Sequence, residues 1–382
     1  MAKQTEKAEL KKGRAEFVIT GAVKLNQYTF GTDLEGSNNP NWIYNKLFLL
    51  VDCGHGNVVS SQMMGGYMAD GSSKIYAHGV IEEGGKKKDD WSNRIEIEWA
   101  DRLDEDVLSE VGNKCFIKIG IEETDKGKPH TERFLSEYDA IKYLEKHLED
   151  GMVVNVRGKL NYSTYKDNVN IEKQITSIYL SKAKPEEYKA TFEQTILIDS
   201  DSAGKLDKER LSYPIDARII EYIRKVDGEK INKNGVLPLS LELKVNEEKP
   251  AMTKVFVDKI FKVKKDVTSI GVKGIFVEGA DDIEVDEEDI DPEVLELINA
   301  GLLDMDEIKG QMTRGDRTKR MLVTQPLTYV VEEEGQKKTK LLKEERKYTE
   351  DDLIVDYDVS PKEDVEVDED SDLADLLSEL EE

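Results

Sequence analysis

The sequence predicts a mainly β protein with short helices, an α+β chain, and two observations carry that reading. Apolar residues recur with period two over most of the chain, the pattern of half-buried strands; Phe17, Ile19, Val23 and Leu25 against Thr20 and Lys24 are the first example. Between Ser136 and Leu180 the period changes once, from helical to alternating, so that one helix leads into a long hairpin. Ser136 is a good N-cap, with Asp139 in the capping-box position. Ile141, Leu144 and Leu148 line one helix face, and Asp150-Gly151 ends it. Beyond it Met152, Val154, Val156, Leu160 and Tyr162 point one way, and Asn155, Arg157, Lys159 and Asn161 the other. Gly158 marks a bulge or sharp bend. Tyr165 to Asn168 reads as the turn, after which Val169, Ile171, Ile175 and Tyr179 return in alternation.

Taken in order, residues 1–14 are a charged tail and residues 16–25 a strand. Tyr28 to Asn41, with Gly31, Gly36 and Pro40, reads as a loop. Residues 41–53 form a second strand, with Ile43, Leu47, Leu49, Val51 and Cys53 toward the core and Trp42, Tyr44, Lys46 and Phe48 on the alternate face. Residues 54–89 are glycine-rich, with strand-like pieces at Val58-Val59 and Lys74 to Val80. Trp91 to Trp99 alternates, with Ile95 and Ile97 between the tryptophans and Arg94 on the other face. An acidic connection over 101–110 and a strand from Cys115 to Ile121 lead to the helix. Helix, glycine-interrupted strand and hairpin together resemble the second half of an OB-fold barrel, which carries a helix between its third and fourth strands. The expectation is an OB-fold-like barrel over residues 15–181, with extra strands inserted between its second and third positions.

Residues 182–189, with Lys184-Pro185, read as a linker to a second β-rich unit over 190–348. Its strands are expected at 190–198, 213–223, 236–245, 253–263 and 269–277, then a helical insertion near 291–312 opened by Asp291-Pro292, then a strand pair around Gly335. The order strands, helix, strands is again OB-like, although no identity between the halves amounts to a repeat. Residues 349–382 read as an acidic, disordered tail.

Charge is unevenly spread. The formal net charge is −26, of which residues 281–310 carry −12 and residues 351–382 carry −14. The rest is near neutral and can hold a local basic groove. Two cysteines, Cys53 and Cys115, give neither a disulfide framework nor zinc spacing and fit reduced thiols in a cytoplasmic protein. Cys53-Gly54-His55 lacks further clustered ligands, and the acidic run from Asp281 to Asp291 lacks the glycine and spacing of a calcium loop. No signal peptide or run of about 18 apolar residues is present, and no nucleotide, metalloprotease or hydrolase motif. No catalytic residue, metal or cofactor is expected.

The informative constellation is aromatic and basic. Trp42, Tyr44, Lys46 and Phe48 share a strand face; Arg157 and Lys159 lie on the polar face of the hairpin; Tyr162, Tyr165 and Lys166 crowd its tip; Tyr28 and Phe30 sit in the first loop; Arg94 adds a cation. Aromatic rings stack on any base while Lys and Arg follow the phosphates, which is what a single-strand binder needs. The competing reading makes the same rings ordinary core under an inserted sheet.

With Gly151 to Leu180 in the body and Asp364 to Glu382 in the tail, the layout resembles the single-stranded DNA-binding proteins of bacteriophages. The resemblance implies a non-enzymatic protein of phage replication or recombination in the bacterial cytoplasm, with a tail that recruits a polymerase, primase or helicase. Leu373, Leu376, Leu377 and Leu380 recur at helical spacing there and suit docking into a partner's apolar groove. The chain ends Leu380-Glu381-Glu382 rather than in the Pro-Phe of bacterial relatives, and lacks the zinc ligands of some phage members. The alternative is a structural or assembly protein of a phage particle.

Overall fold

The first strand, β1 (Ala15–Lys24), buries Phe17, Ile19 and Val23, as its alternation requires. β2 (Phe30–Glu35), β3 (Trp42–Asp52) and β4 (Val58–Met68) follow, then the hairpin of β5 (Lys74–Glu83) and β6 (Lys86–Glu98). Helix α1 (Glu105–Glu110), β7 (Ile117–Glu123), β8 (Pro129–Phe134) and α2 (Glu137–His147) lead to the long hairpin of β9 (Val153–Tyr165) and β10 (Asn168–Leu180). The second half comprises β11 (Lys189–Ile198), β12 (Ser212–Val226), β13 (Glu229–Lys244), α3 (Pro250–Phe256), β14 (Val267–Ala280), α4 (Pro292–Asn299), β15 (Arg317–Pro326), β16 (Thr328–Glu333), β17 (Gln336–Leu341), β18 (Lys343–Tyr348) and α5 (Glu350–Leu353). The structure, a computed structural model, describes residues 7–123, 129–165, 168–208, 210–226, 229–246, 248–263, 265–280, 290–299, 317–333 and 336–354. The tail leucines, the acidic run 281–289 and the expected helix near 304–312 lie outside the described residues.

Five strands close a ring: β1 pairs with β3, β3 with β4, β4 with β10, β10 with β9 and β9 with β1. The β4–β10 step is parallel and the others antiparallel. With α2 between the third and fourth ring strands, this is the order of an OB-fold. The third ring strand is β4, not the stretch from Cys115 to Ile121, so the inserted β5, β6, β7 and β8 fall between the third strand and the helix. Helix α2 starts as expected, the Ser136 hydroxyl accepting the Tyr138 N–H at 3.1 Å. Asp139 does not close a capping box; its carboxylate takes both arms of Arg102 at 2.7 and 3.0 Å.

A second ring repeats the plan: β11, β12, β13, β15 and β14, closing on β11, with β13–β15 parallel. Its helix is α3 with one further π-helical turn, Val257–Phe261, where the sequence reading placed a strand over 253–263. Pro250 opens that helix, and Thr253, Val257, Ile260 and Phe261 are buried at helical spacing.

The rings join where β1 pairs antiparallel with β11, Phe17 facing Phe192. About this seam the chain repeats itself. In the first ring Phe17 faces Gly158, and the Thr176 hydroxyl donates to the Arg157 carbonyl at 3.2 Å. In the second Phe192 faces Gly274, and the Thr324 hydroxyl donates to the Lys273 carbonyl at 3.2 Å. In each ring the threonine sits at a register shift in the fifth strand. Val156-Arg157-Gly158 and Val272-Lys273-Gly274 are thus equivalent, a repeat too short to read in the sequence.

Candidate nucleic-acid interface

On β3, Leu47, Leu49 and Val51 are buried while Trp42, Tyr44, Lys46, Phe48 and Leu50 are half-buried on the outer face. Across the pair with β4, Trp42 faces Met68, Tyr44 faces Gly66, Lys46 faces Met64 and Phe48 faces Gln62. Met64 is 57% exposed, so the face is an apolar and aromatic strip with one lysine in it.

Buried Asn45 ties this face to its surroundings. Its side-chain oxygen accepts the Asp33 N–H at 2.7 Å and its amide donates to the Tyr138 carbonyl at 2.7 Å. Asp33, at φ 52°, stands at the register shift between β2 and β3. The Tyr138 hydroxyl and then the Lys142 ammonium, at 2.9 Å, hold its carboxyl below the usual carboxylate range. β2 is therefore fixed to the first turns of α2.

Other expected residues fare differently. Tyr28 is exposed in the turn before β2. Phe30 is not in a loop: it opens β2, faces Leu47 and packs on the core. Tyr162 is also core, 6% exposed, with its hydroxyl donating to Gln194 Oε1 at 2.9 Å; burial pushes its phenol well up. Tyr165 ends β9, and its side chain and Lys166 lie outside the described residues. Arg94 is exposed on β6, in the separate β5–β6 sheet.

Arg157 and Lys159 are exposed on β9 but do not join the Trp42 strip. Val51 faces Val23, and β3 runs from there past the carboxyl end of β1 to Trp42. Arg157 faces Val18 and Lys159 faces Glu16, toward the amino end. The two cations border a cleft of about 360 Å³ on the seam, with Thr176, Thr191 and Lys273. Lys159, Glu16, Glu193 and Lys273 lie in register across it. Glu193 takes Arg14 at 2.5 Å and Lys273 at 3.7 Å, and with Arg157 and Lys159 against Glu16 the seam keeps an excess of positive charge.

The second ring lacks the strip. Matching the pair Leu197–Arg218 to Ala22–Asp52 puts Ser212, Pro214 and Asp216 where the first ring has Lys46, Phe48 and Leu50.

A family profile described as YorF matches residues 113–292. No curated protein matches the chain. The wild-type single-stranded DNA binding protein from Thermus aquaticus aligns at 9% identity over 70% of this chain and 87% of its own, with a TM-score of 0.28. A deletion mutant of that protein aligns at 9% identity over 70% and 88%, with a TM-score of 0.29. Similarity at that level decides nothing about function, and the fold rests on the strand pairing described above.

Proposed function

We propose that this chain binds single-stranded DNA without sequence choice, as a non-enzymatic protein of phage replication or recombination. The observation that carries the reading is the strip Trp42, Tyr44, Lys46 and Phe48, half-buried on the second strand of an OB-ordered ring and paired with the third. That face and its flanking loops are where OB-folds bind oligonucleotides. Rings stack on bases and Lys46 meets the backbone. Residues 364–382 hold ten acidic side chains and no basic one; they repel DNA, and Leu373, Leu376, Leu377 and Leu380 serve a polymerase, primase or helicase partner instead.

Titration with oligo(dT) tests the reading. Affinity is expected to fall as salt rises, because binding releases condensed counterions. Replacing Trp42 and Tyr44 together with alanine is expected to weaken binding by roughly 2–4 kcal/mol, the scale of two lost stacks. Absence of binding to any oligonucleotide at low salt would leave a particle-assembly role ahead. Loss of folding before any loss of affinity would return the two rings to the core.

A further inference from the structure

We infer that the β5–β6 hairpin is a second stacking element, which carries a bound single strand on past the Trp42 end of the strip. This rests on the single-strand reading above and adds residues and a path to it.

The position of the hairpin is the first ground. β4 leaves the strip at Met68, opposite Trp42, where the Ala69 N–H donates to the Asn41 carbonyl at 2.7 Å. Five residues later β5 begins at Lys74, so the hairpin springs from the end of the strip. Its root is pinned: Trp99 stacks on Tyr67 of β4 with centroids 4.9 Å apart, and the Arg102 guanidinium covers Trp99 at 4.2 Å.

The two faces of the hairpin differ in kind. Ile75, Ala77, Ile95 and Ile97 pack with Val107, Leu108, Val111 and Phe116 in a core of their own. The other face presents Tyr76, 76% exposed, and Trp91, 66% exposed, the two most exposed aromatic rings among the described residues. Trp91 would share the inward side by strict alternation. The register breaks between His78 and Gly79, leaving residues 91–93 unpaired, and the indole turns out onto His78.

The platform is already organised. His78 Nε2 is 2.8 Å from an Asp89 carboxylate oxygen and Nδ1 is 3.2 Å from Cys115 Sγ, so the imidazole is held from both sides. Trp91 lies on it with centroids 4.0 Å apart and planes 29° apart. The Lys114 ammonium also stands over the indole, 5.7 Å from its centroid, and a ring fixed in this way loses little freedom when a base stacks on it. Tyr76 stands two residues from His78 on the same side of β5, roughly 7 Å along the strand. The rings open to a base are Tyr76 and Trp91, while the imidazole that supports Trp91 is only 8% exposed. Arg94 faces His78 across the hairpin and makes no ion pair with another described residue.

Acids and bases nearly cancel along the hairpin: Lys74 pairs with Glu96, and Lys88 with Glu83 at 2.6 Å. Its contribution is therefore stacking, which releases no counterions. The test uses the full chain and oligo(dT) of increasing length. Tyr76→Ala and Trp91→Ala/Tyr76→Ala are expected to lower affinity for long oligomers by about tenfold per lost stack, while the slope of affinity against salt stays unchanged. Tyr329→Ala, an exposed ring on β16, serves as control and is expected to bind as the unaltered chain does. Fluorine-19 spectra of the chain carrying 5-fluorotryptophan give a readout that needs no substitution at the platform: the Trp91 resonance, assigned through Trp91→Phe, is expected to shift on adding oligo(dT). If the unaltered chain binds no oligomer, the single-strand reading itself falls. If it binds, the Trp91 resonance stays in place and Tyr76→Ala binds normally, the hairpin is not on the path and the inference alone is overturned.

Discussion

Lys173 and Glu278 form an ion pair with side chains only 6% and 8% exposed, and it joins β10 of the first ring to β14 of the second. The other carboxylate oxygen accepts the Ser60 N–H at 3.2 Å, and the ammonium lies 4.8 Å from the centre of the Phe276 ring. Removing one partner of such a pair strands a buried charge, while removing both leaves apolar packing. Lys173→Met is expected to cost about 3–5 kcal/mol, and Lys173→Met/Glu278→Leu to recover most of it, read as urea midpoints. Equal losses in both variants would show that the charge is not what the site balances. Neither residue was legible as half of a pair, because 105 positions separate them and nothing local marks either. The aromatic strip was legible, since strict alternation along β3 assigns Trp42, Tyr44 and Lys46 to the side away from Leu47 and Leu49. Alternation also set Tyr162 beside Val154, Val156 and Leu160. Its nearness to the turn argued for exposure, and the period prevails, because the long hairpin carries Tyr162 against Gln194 of β11. Tyr76 and Trp91 escaped because a register break moves Trp91 to the opposite face, and no residue type announces such a break.

In each ring a glycine packs tightly against the seam aromatic. A methyl at Gly158 would run into the Gln174 carbonyl and come within 2.6 Å of the Phe17 ring. A methyl at Gly274 would meet the Leu322 carbonyl and the Phe192 ring. Both obstacles include backbone, which cannot swing aside, so overpacking is expected to cost about 1–3 kcal/mol at each site. Gly158→Ala and Gly274→Ala should therefore lower thermal midpoints by similar amounts if the rings are equivalent. A loss at one site alone would break the equivalence. At this scale the helix and long hairpin of the first ring were readable, since both periods persist for many residues there. β4 was glimpsed only as Val58-Val59, because Gly65, Gly66 and the polar Ser60, Ser61 and Gln62 blur its alternation. α3 reads as a strand in the sequence because Val255, Val257 and Val263 alternate and are β-branched, while the buried set Thr253, Val257, Ile260 and Phe261 follows the helical period. The repeat stayed hidden because what the rings share is one aromatic, one cation-glycine pair and one threonine, set by the seam rather than by long identity.

Both ends of the described chain are moored on the second ring. Leu10, Tyr348 and Leu353 pack with Leu197, Ile220 and Val267. Asp352 accepts the Ala8 N–H at 2.8 Å, Lys7 donates to the Ile354 carbonyl at 3.0 Å, and Arg218 grips Glu350 at 2.8 and 2.9 Å. The acidic segment thus departs from the ring without an aromatic strip, tethered to the ring that has one. A tethered polyanion competes with DNA at high effective concentration. Its reach through solution is screened beyond a Debye length of about 10 Å at 0.1 M salt. Deleting residues 359–382 leaves the mooring intact, so the thermal midpoint is expected to hold while affinity for oligo(dT) rises, most at low salt. Changing Leu373, Leu376, Leu377 and Leu380 to serine keeps every acidic charge. That variant is expected to bind DNA as the unaltered chain does and, on the function proposed above, to lose binding to a polymerase, primase or helicase. Unchanged oligonucleotide affinity after the deletion would rule out the competition, and retention of every partner by the serine variant would rule out docking through the leucines.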